Sequence, residues 1–385
     1  MLNSNTPLFH PAKNPLLRFV LKQTFYAQFC AGENRSEVSR TIRSITNTGY
    51  SGVILEYALE VLESKDTPSV EETSKEIETW RKGMLDTVSM TSAGDFVGLK
   101  WSGLGTEALR LLKGDKPPTP AMREAILEVC DTVKEKGVRL LPGAEMEDMN
   151  RGIDSWTLDL QRRYNVDGRA VMFSTYQAYL RSTPEKLASH LMCAKEEGFV
   201  AGVKLVRGAY LATEPRAAIW GSKEETDRVY DGLMEALLKR RWNGTLKMPG
   251  FVRRDDRFPE ISLVIASHNA PSVRKAMEIR NEQARNGEKR IECAYAQLYG
   301  MADDVGAELV LASKAEETEL QEKAQELDKP MLFKCATWGT LTECLNFLLR
   351  RASENKDAAG RTDDTRRAMG EEIRRRFKAA FGWAH

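Results

Sequence analysis

Histidine is scarce in this chain. Only His10, His190, His268 and His385 occur, and no two of them lie at the spacing that ligands on one element need. A histidine-rich metal site is therefore excluded, and no metal is expected. The cysteines, Cys30, Cys130, Cys193, Cys293, Cys335 and Cys344, are scattered without a Cys-x-x-Cys pair. That argues against a disulfide frame and for free thiols in a reducing compartment. No apolar run approaches bilayer-spanning length, so no transmembrane segment is expected. Charge of one sign is missing too. Lys plus Arg number 57 against 56 Asp plus Glu, which leaves no field to steer nucleic acid or an anionic membrane toward the chain.

Acidic residues are absent before Glu33, while Lys13, Arg18 and Lys22 are present. That composition resembles a transit peptide. Leu16–Phe29 reads equally as an amphipathic helix, with Leu17, Val20, Leu21, Phe25 and Phe29 at helical spacing. A folded N-terminal helix is preferred. The expected location is cytoplasmic or mitochondrial, with import left open.

What is present is an alternation of short β-rich runs and helical stretches. The strand candidates are Gly52–Tyr57, Val97–Trp101, Val138–Leu141, Ala170–Ser174, Val203–Arg207, Ser262–Ala266, Ile291–Gln297 and Met331–Ala336. Most are near-continuous apolar runs, as parallel strands covered by helices should be. Helical patterns fall between them at Pro120–Lys136, Thr183–Glu197, Glu224–Arg241 and Pro271–Asn286. The order predicts an α/β fold, a (β/α)8 TIM-like barrel preceded by N-terminal helices. Residues 1–50 are expected to form a helical arm packed on the barrel, and residues 51–385 the barrel itself. Lys65–Glu76 and Asn243–Glu260, the latter with the charge run Arg253–Arg257, read as loops or insertions.

Gly103-Leu104-Gly105-Thr106-Glu107-Ala108 fits a dinucleotide fingerprint, but the acidic residue expected about 20 positions later, at a strand end, is missing. A tight turn into a helix is the better reading. Barrels carry their chemistry at the C-terminal ends of strands. There stand Lys204, Arg207 and Tyr210, with Gly208 and Ala209 allowing close backbone approach, and Ser267-His268-Asn269 after a later strand. Gln177, after Thr175-Tyr176, can pair with the imide edge of a flavin-like ring. Lys100, inside an apolar strand, requires a partner. Finally, Thr340–Asn355 reads as a helix with Phe347, Arg350, Arg351 and Glu354 on one stripe and Leu341, Leu345, Leu348, Leu349 and Ala352 on its apolar face. Paired guanidiniums there make either a solvated charged face or a carboxylate clamp.

Several of these motifs in register resemble the proline dehydrogenase family, most closely its fungal members. The resemblance runs from Thr24-Phe25-Tyr26-Ala27-Gln28-Phe29-Cys30-Ala31-Gly32 to Arg350-Arg351-Ala352-Ser353-Glu354-Asn355. It includes Gly202-Val203-Lys204-Leu205-Val206-Arg207-Gly208-Ala209-Tyr210, the Ser-His-Asn triplet and Gln297-Leu298-Tyr299-Gly300-Met301-Ala302-Asp303. The resemblance implies a barrel holding FAD at the strand C-termini and hydride transfer from the carbon beside an amine nitrogen to flavin N5. It implies that Gln177 and Lys204 face the flavin ring, and that Val206, Arg207, Gly208, Ala209, Tyr210, Ser267, His268 and Asn269 line the rest of the cofactor. Lys100, Arg350 and Arg351 would hold the carboxylate of an amino-acid substrate.

Three departures stand out. Gly143 replaces the family's acid at the third strand end, Cys335 replaces the Tyr after Lys334, and Phe347 replaces the Tyr three residues before the arginine pair. They imply a roomier, less polar substrate pocket. The expected reaction is FAD-dependent oxidation of a proline-like or N-substituted amino acid to an imine. Ordinary L-proline or hydroxyproline oxidation is the alternative, and quinone or oxygen the candidate acceptor.

Overall fold

The structure is a computed structural model, and it describes residues 13–61, 67–250, 257–314 and 327–354, with Arg374 as an isolated position. His10, His385, Asn355 and most of the run Arg253–Arg257 lie outside the described residues. The strands are β1 (Cys30–Gly32), β2 (Gly52–Tyr57), β3 (Phe96–Leu99), β4 (Arg139–Pro142), β5 (Ser174–Gln177), β6 (Ala201–Val206), β7 (Ile261–Ala266), β8 (Glu292–Leu298) and β9 (Met331–Trp338). They form one sheet in the order β4-β3-β2-β9-β8-β7-β6-β5, with β1 added on β9. The two ends meet at a bridge between Leu140 and Met172. There Leu140 N donates to Val171 O at 2.7 Å and Phe173 N donates to Leu140 O at 3.0 Å. The chain is thus an eight-strand parallel barrel with helices outside, as the alternation predicts.

Inside the barrel, Ile54, Phe96, Leu141, Phe173, Val264 and Phe333 form an apolar plug. Phe96 meets Phe173 and Phe333 edge-on, at centroid distances of 5.7 and 4.9 Å. Strand alternation returns every second residue to the same face. Directly above the plug therefore come Glu56, Gly98, Gly143, Thr175, Ala266 and Cys335, at the C-terminal mouth. The plug closes the floor, and the next layer is where chemistry can sit.

Several boundaries differ from the sequence reading. β5 begins at Ser174, four residues after its expected start, because Ala170–Phe173 makes only the one isolated bridge to β4 and the pairing with β6 starts at Ser174. β3 ends at Leu99, so Lys100 stands just past the strand and opens the turn Trp101–Leu104. Gly105 in that turn has φ 120°, and a Cβ there would collide with Glu76. The expected turn into a helix, Thr106–Lys113, is what forms. Half of the expected insertion Lys65–Glu76 is instead the start of a helix, Val70–Met90, opened by a capping box between Ser69 and Glu72.

The N-terminal segment is helical over Pro15–Leu21 and then widens over Lys22–Tyr26. This widened turn rotates the expected apolar face, leaving Val20 and Phe25 exposed while Leu21 and Phe29 pack inward. The segment was expected to be helical throughout, but β1 pairs with the end of β9. Three residues are too short for an alternation to be visible, and the pairing comes from β9 extending past the barrel. Tyr26 hydroxyl donates to Gly339 O at 2.7 Å, and Leu341 N donates to Glu33 at 2.8 Å. The start of the helix Leu341–Glu354, the last with described bounds, is thereby fixed to the N-terminal segment.

The barrel seam depends on Asn165, which is fully buried. Its amide donates to Met172 O at 2.7 Å and Val200 O at 2.8 Å, and its Oδ1 accepts from Val171 N and Met172 N, each at 2.8 Å. Asn165→Ala would orphan buried backbone groups of Val171 and Met172 on the β5 side of the seam and of Val200 before β6. Each orphan costs about 1–3 kcal/mol, so the variant should lose roughly 3–6 kcal/mol of unfolding free energy by urea titration. A loss below about 1 kcal/mol would show that the seam closes without it.

Candidate active site

At the mouth the cations converge on one carboxylate. Glu60, just past β2, lies 3.4 Å from Lys100 Nζ, 2.5 Å from Arg350 Nη2 and 3.2 Å from Arg351 Nη2. Its side chain is only 7 % exposed. Burial pushes the Glu60 carboxyl up, but Lys100, Arg351 and Arg350 together hold it below the ordinary 4.5. The arginine stripe of the last helix is therefore not a solvated face. Arg351 also packs over Phe347 and over Tyr210, each at 5.3 Å, and its guanidinium reaches the Tyr210 hydroxyl at 3.5 Å.

Lys100 is buried and donates to Ala144 O at 2.9 Å. Burial alone would drive it down, but Glu145, Tyr210 and Glu60 outweigh that effect and hold it above the ordinary lysine value. Its stem explains Gly143. A Cβ at Gly143 would sit 2.8 Å from Lys100 Cε and 3.0 Å from Nζ. The space released by the missing acid is filled by Lys100. Gly143 therefore gives room to Lys100, and carboxylates from Glu60 and Glu145 stand nearby.

Lys204, on β6, points into the mouth, and its Nζ donates to Pro142 O at 3.1 Å. Burial lowers it below the ordinary lysine value, with Cys335 and Glu56 opposing. Cys335 contacts Glu56, its thiol 3.9 Å from Oε2. Gln177 Nε2 donates to Glu145 O at 2.8 Å, while its Oε1 accepts from Ala209 N at 3.1 Å. Gly208 has φ 154°, and a Cβ there would fall 2.3 Å from the Tyr179 ring. Its lack of a side chain makes room for Tyr179. Val206 ends β6 half-buried.

Arg207 pairs with Asp227 at 2.9 Å and donates to Ser267 and Ser272, each at 2.7 Å. His268 Nε2 accepts from Leu298 N at 3.0 Å. Burial and then Lys334 push its pKa down to about 4, which agrees with a neutral ring. Asn269 caps the helix Ala270–Arg285 through Ser272 N at 3.0 Å. The structure thus gathers Lys100, Gly143, Lys204, Tyr210, Cys335, Phe347, Arg350 and Arg351 around the mouth. Arg207, Ser267, His268 and Asn269 form a bonded rim beside it.

A cofactor can be tested against this donor set. Lys204 is a half-buried cation with one backbone acceptor, and Gln177 keeps a second amide N–H beyond the one it gives Glu145. A flat, electron-rich ring with carbonyl acceptors fits such donors.

The sequence reading missed Glu56, Glu60 and Glu145. Their signal was available: they stand in or just after the first and third barrel strands, where the same rule that selected Lys204 applies.

Fold and site together define a TIM-type barrel whose mouth carries a cation cluster around one carboxylate, beside a half-buried lysine. A family model described as proline dehydrogenase matches residues 38–364, and the chain belongs to that family. Proline dehydrogenase 1, mitochondrial, of Caenorhabditis elegans is 29% identical over 301 residues, covering 78% of this chain and 45% of its own length. The probable proline dehydrogenase, mitochondrial, of Schizosaccharomyces pombe is 30% identical over 252 residues, covering 65% and 49%. Hydroxyproline dehydrogenase of Bos taurus is 29% identical over 282 residues, covering 72% and 54%. The chain spans about half the length of these curated relatives. Among solved structures, proline utilization A from Bdellovibrio bacteriovorus, inactivated by N-propargylglycine, superposes with TM-score 0.63 at 17% identity, covering 89% of this chain and 34% of that one. That likeness establishes the barrel fold.

Glu60→Ala would leave Lys100, Arg350 and Arg351 facing one another. Removing one partner of a buried pair costs about 3–5 kcal/mol, and urea unfolding at neutral pH should lose that much. Because Glu60 titrates below 4.5 when folded, its contribution is full above that value and fades as pH falls through the lower folded value. The gap between wild type and variant should therefore narrow in acid. A constant gap would assign the loss to packing.

Proposed function

We propose that this chain is an FAD-dependent dehydrogenase that oxidises a proline-like or N-substituted amino acid at the carbon next to nitrogen. One observation carries the reading: Lys100, Arg350 and Arg351 meet at a single buried carboxylate position at the barrel mouth. Glu60 holds that position in the protein alone, and an incoming substrate carboxylate offers the same group to the same cations. FAD, when bound, supplies the two-electron acceptor. Gln177 and Lys204 would hold its ring, and the rim from Arg207 to Tyr210 and Ser267 to Asn269 the remainder. Lys204 places positive charge where a reduced ring becomes anionic. Tyr210 and Phe347, each packed on Arg351, shield part of the guanidinium. The protein positions more than it reacts. The imine product would hydrolyse or cyclise after release, and quinone or oxygen would reoxidise the cofactor.

The names of the relatives support a mitochondrial location, as does the acid-poor N-terminal composition. Ordinary L-proline oxidation is the second reading. It is favoured by Lys100, whose stem fills the space beside Gly143.

The purified protein should be yellow, and a panel of amino acids should bleach it anaerobically. Colourless protein that FAD cannot reconstitute would end the reading. Arg350→Met or Arg351→Met should keep the flavin but raise KM, since losing one charged hydrogen-bond partner costs about 1.5–3 kcal/mol, roughly ten- to a hundred-fold. An unchanged KM in both variants would remove the clamp.

Substrate range tests Cys335, which replaces most of an aromatic ring. A bulkier or N-substituted amino acid should show the higher kcat/KM, by roughly ten- to some hundred-fold per added group, the most that apolar packing supplies. Cys335→Tyr should narrow that range, whereas Phe347→Tyr restores only a hydroxyl. L-Proline with the highest kcat/KM and inert bulkier analogues would establish the second reading.

A further inference from the structure

Glu56 is the one carboxyl at the mouth that the cation cluster does not account for. It lies on β2, between Gly98 of β3 and Thr337 of β9. A Cβ at Gly98 would fall 2.7 Å from Glu56 Cβ, so the glycine leaves the room that the glutamate uses. The residue is 7 % exposed. Its sole polar contact among the described residues is the Cys335 thiol at 3.9 Å, a long and weak bond. The other mouth carboxylates are engaged: Glu60 by Lys100, Arg350 and Arg351, and Glu145 by Ser102 through its hydroxyl at 2.9 Å. A buried acid held by a thiol alone has not met its hydrogen-bonding capacity.

Its surroundings say what would meet it. The charges that act on Glu56 are Lys100 and Lys204, then Glu60 and Arg351. It therefore shares the mouth with the carboxylate clamp and with Lys204, and its own strand leads on to Glu60. An amino acid brought there by its carboxylate also carries an ammonium. Lys100 and Lys204 would repel that second charge, and Glu56 is the acid at the mouth that can partner it.

We propose that Glu56 receives the amine nitrogen of the substrate, through the N–H group attached to the carbon that is oxidised. This rests on the dehydrogenase reading above. The carboxylate accepts a hydrogen bond from the ammonium and then its proton: ammonium plus carboxylate becomes neutral amine plus carboxylic acid. The lone pair thus freed on nitrogen is the one that forms the C=N bond as the neighbouring carbon is oxidised. Burial raises the Glu56 carboxyl, Lys100 and Lys204 oppose that shift, and an incoming ammonium favours the carboxylate form that takes the proton. Cys335 is small enough to leave this approach open.

The test uses FAD-loaded enzyme reduced beforehand with dithionite, so that ligands bind without turnover. Calorimetry compares L-proline with tetrahydrofuran-2-carboxylate, which has the same ring and carboxylate but oxygen for the amine. Glu56→Gln should weaken L-proline about ten- to a hundred-fold, the range for a lost charged partner, and change the ether by less than about three-fold. If Glu56→Gln fails to fold or to hold FAD, Glu56→Asp takes its place. Withdrawing the carboxylate by one methylene should still penalise the amine ligand selectively. Equal weakening of both ligands, or none, overturns the assignment and makes Glu56 a counter-charge only. Wild type that binds neither ligand overturns the dehydrogenase reading on which the assignment rests.

Discussion

Glu60 is the group on which the mouth of the barrel depends. Lys100 follows β3, Arg350 and Arg351 lie on the last helix, and Glu60 follows β2. Without an anion among them these elements would carry uncompensated like charge in a poorly solvated space, which no packing term offsets. The carboxylate therefore does two things with one set of contacts. It lets the last helix lie over the mouth, and it keeps the cations in the arrangement that another carboxylate would need. Binding an acid here is an exchange of one anion for another, which keeps net charge in the cluster nearly constant.

The polar mouth exists because the layer below it is dry. Phe96, Phe173 and Phe333 fill the barrel to its walls, so water cannot reach the charges from beneath. The residues that replace side-chain volume above this floor are glycines placed for specific neighbours. Gly98 admits Glu56 and Gly143 admits Lys100. Small residues in one strand and long charged ones in the next are thus two halves of the same packing.

The barrel was legible because parallel strands sheathed by helices must be apolar on both faces, and runs such as Gly52–Tyr57 and Met331–Ala336 are. Helices Pro120–Lys136 and Thr183–Glu197 match their expected ends, each being opened by a proline and closed by a left-handed glycine, Gly137 and Gly198. Helix Val70–Met90 was obscured by its solvated first turn, although Ser69-x-x-Glu72 announced it. β1 and the seam at Asn165 were illegible, since both arise from contacts distant in sequence or from one side chain binding backbone. In the site, the cationic residues drew notice as costly to bury. Their counter-charges did not, because a glutamate after a strand looks like any surface acid until the fold encloses it.

Closure of this barrel joins the two ends of the described chain. β9 is the last strand made, yet it pairs with both β1 and β2. Glu33 meets Leu341 N across 308 positions, and Tyr26 meets Gly339 across 313. On the ribosome, the N-terminal strands must wait for nearly all of the remaining chain before their edge is covered. During that wait β2 presents unpaired backbone and apolar side chains, the condition in which strands find wrong partners. The arginines of the last helix emerge later still. A product that stops after β9 would carry the floor of the barrel, with Lys100 and Lys204 above it, but not the two arginines that complete the cluster at its mouth.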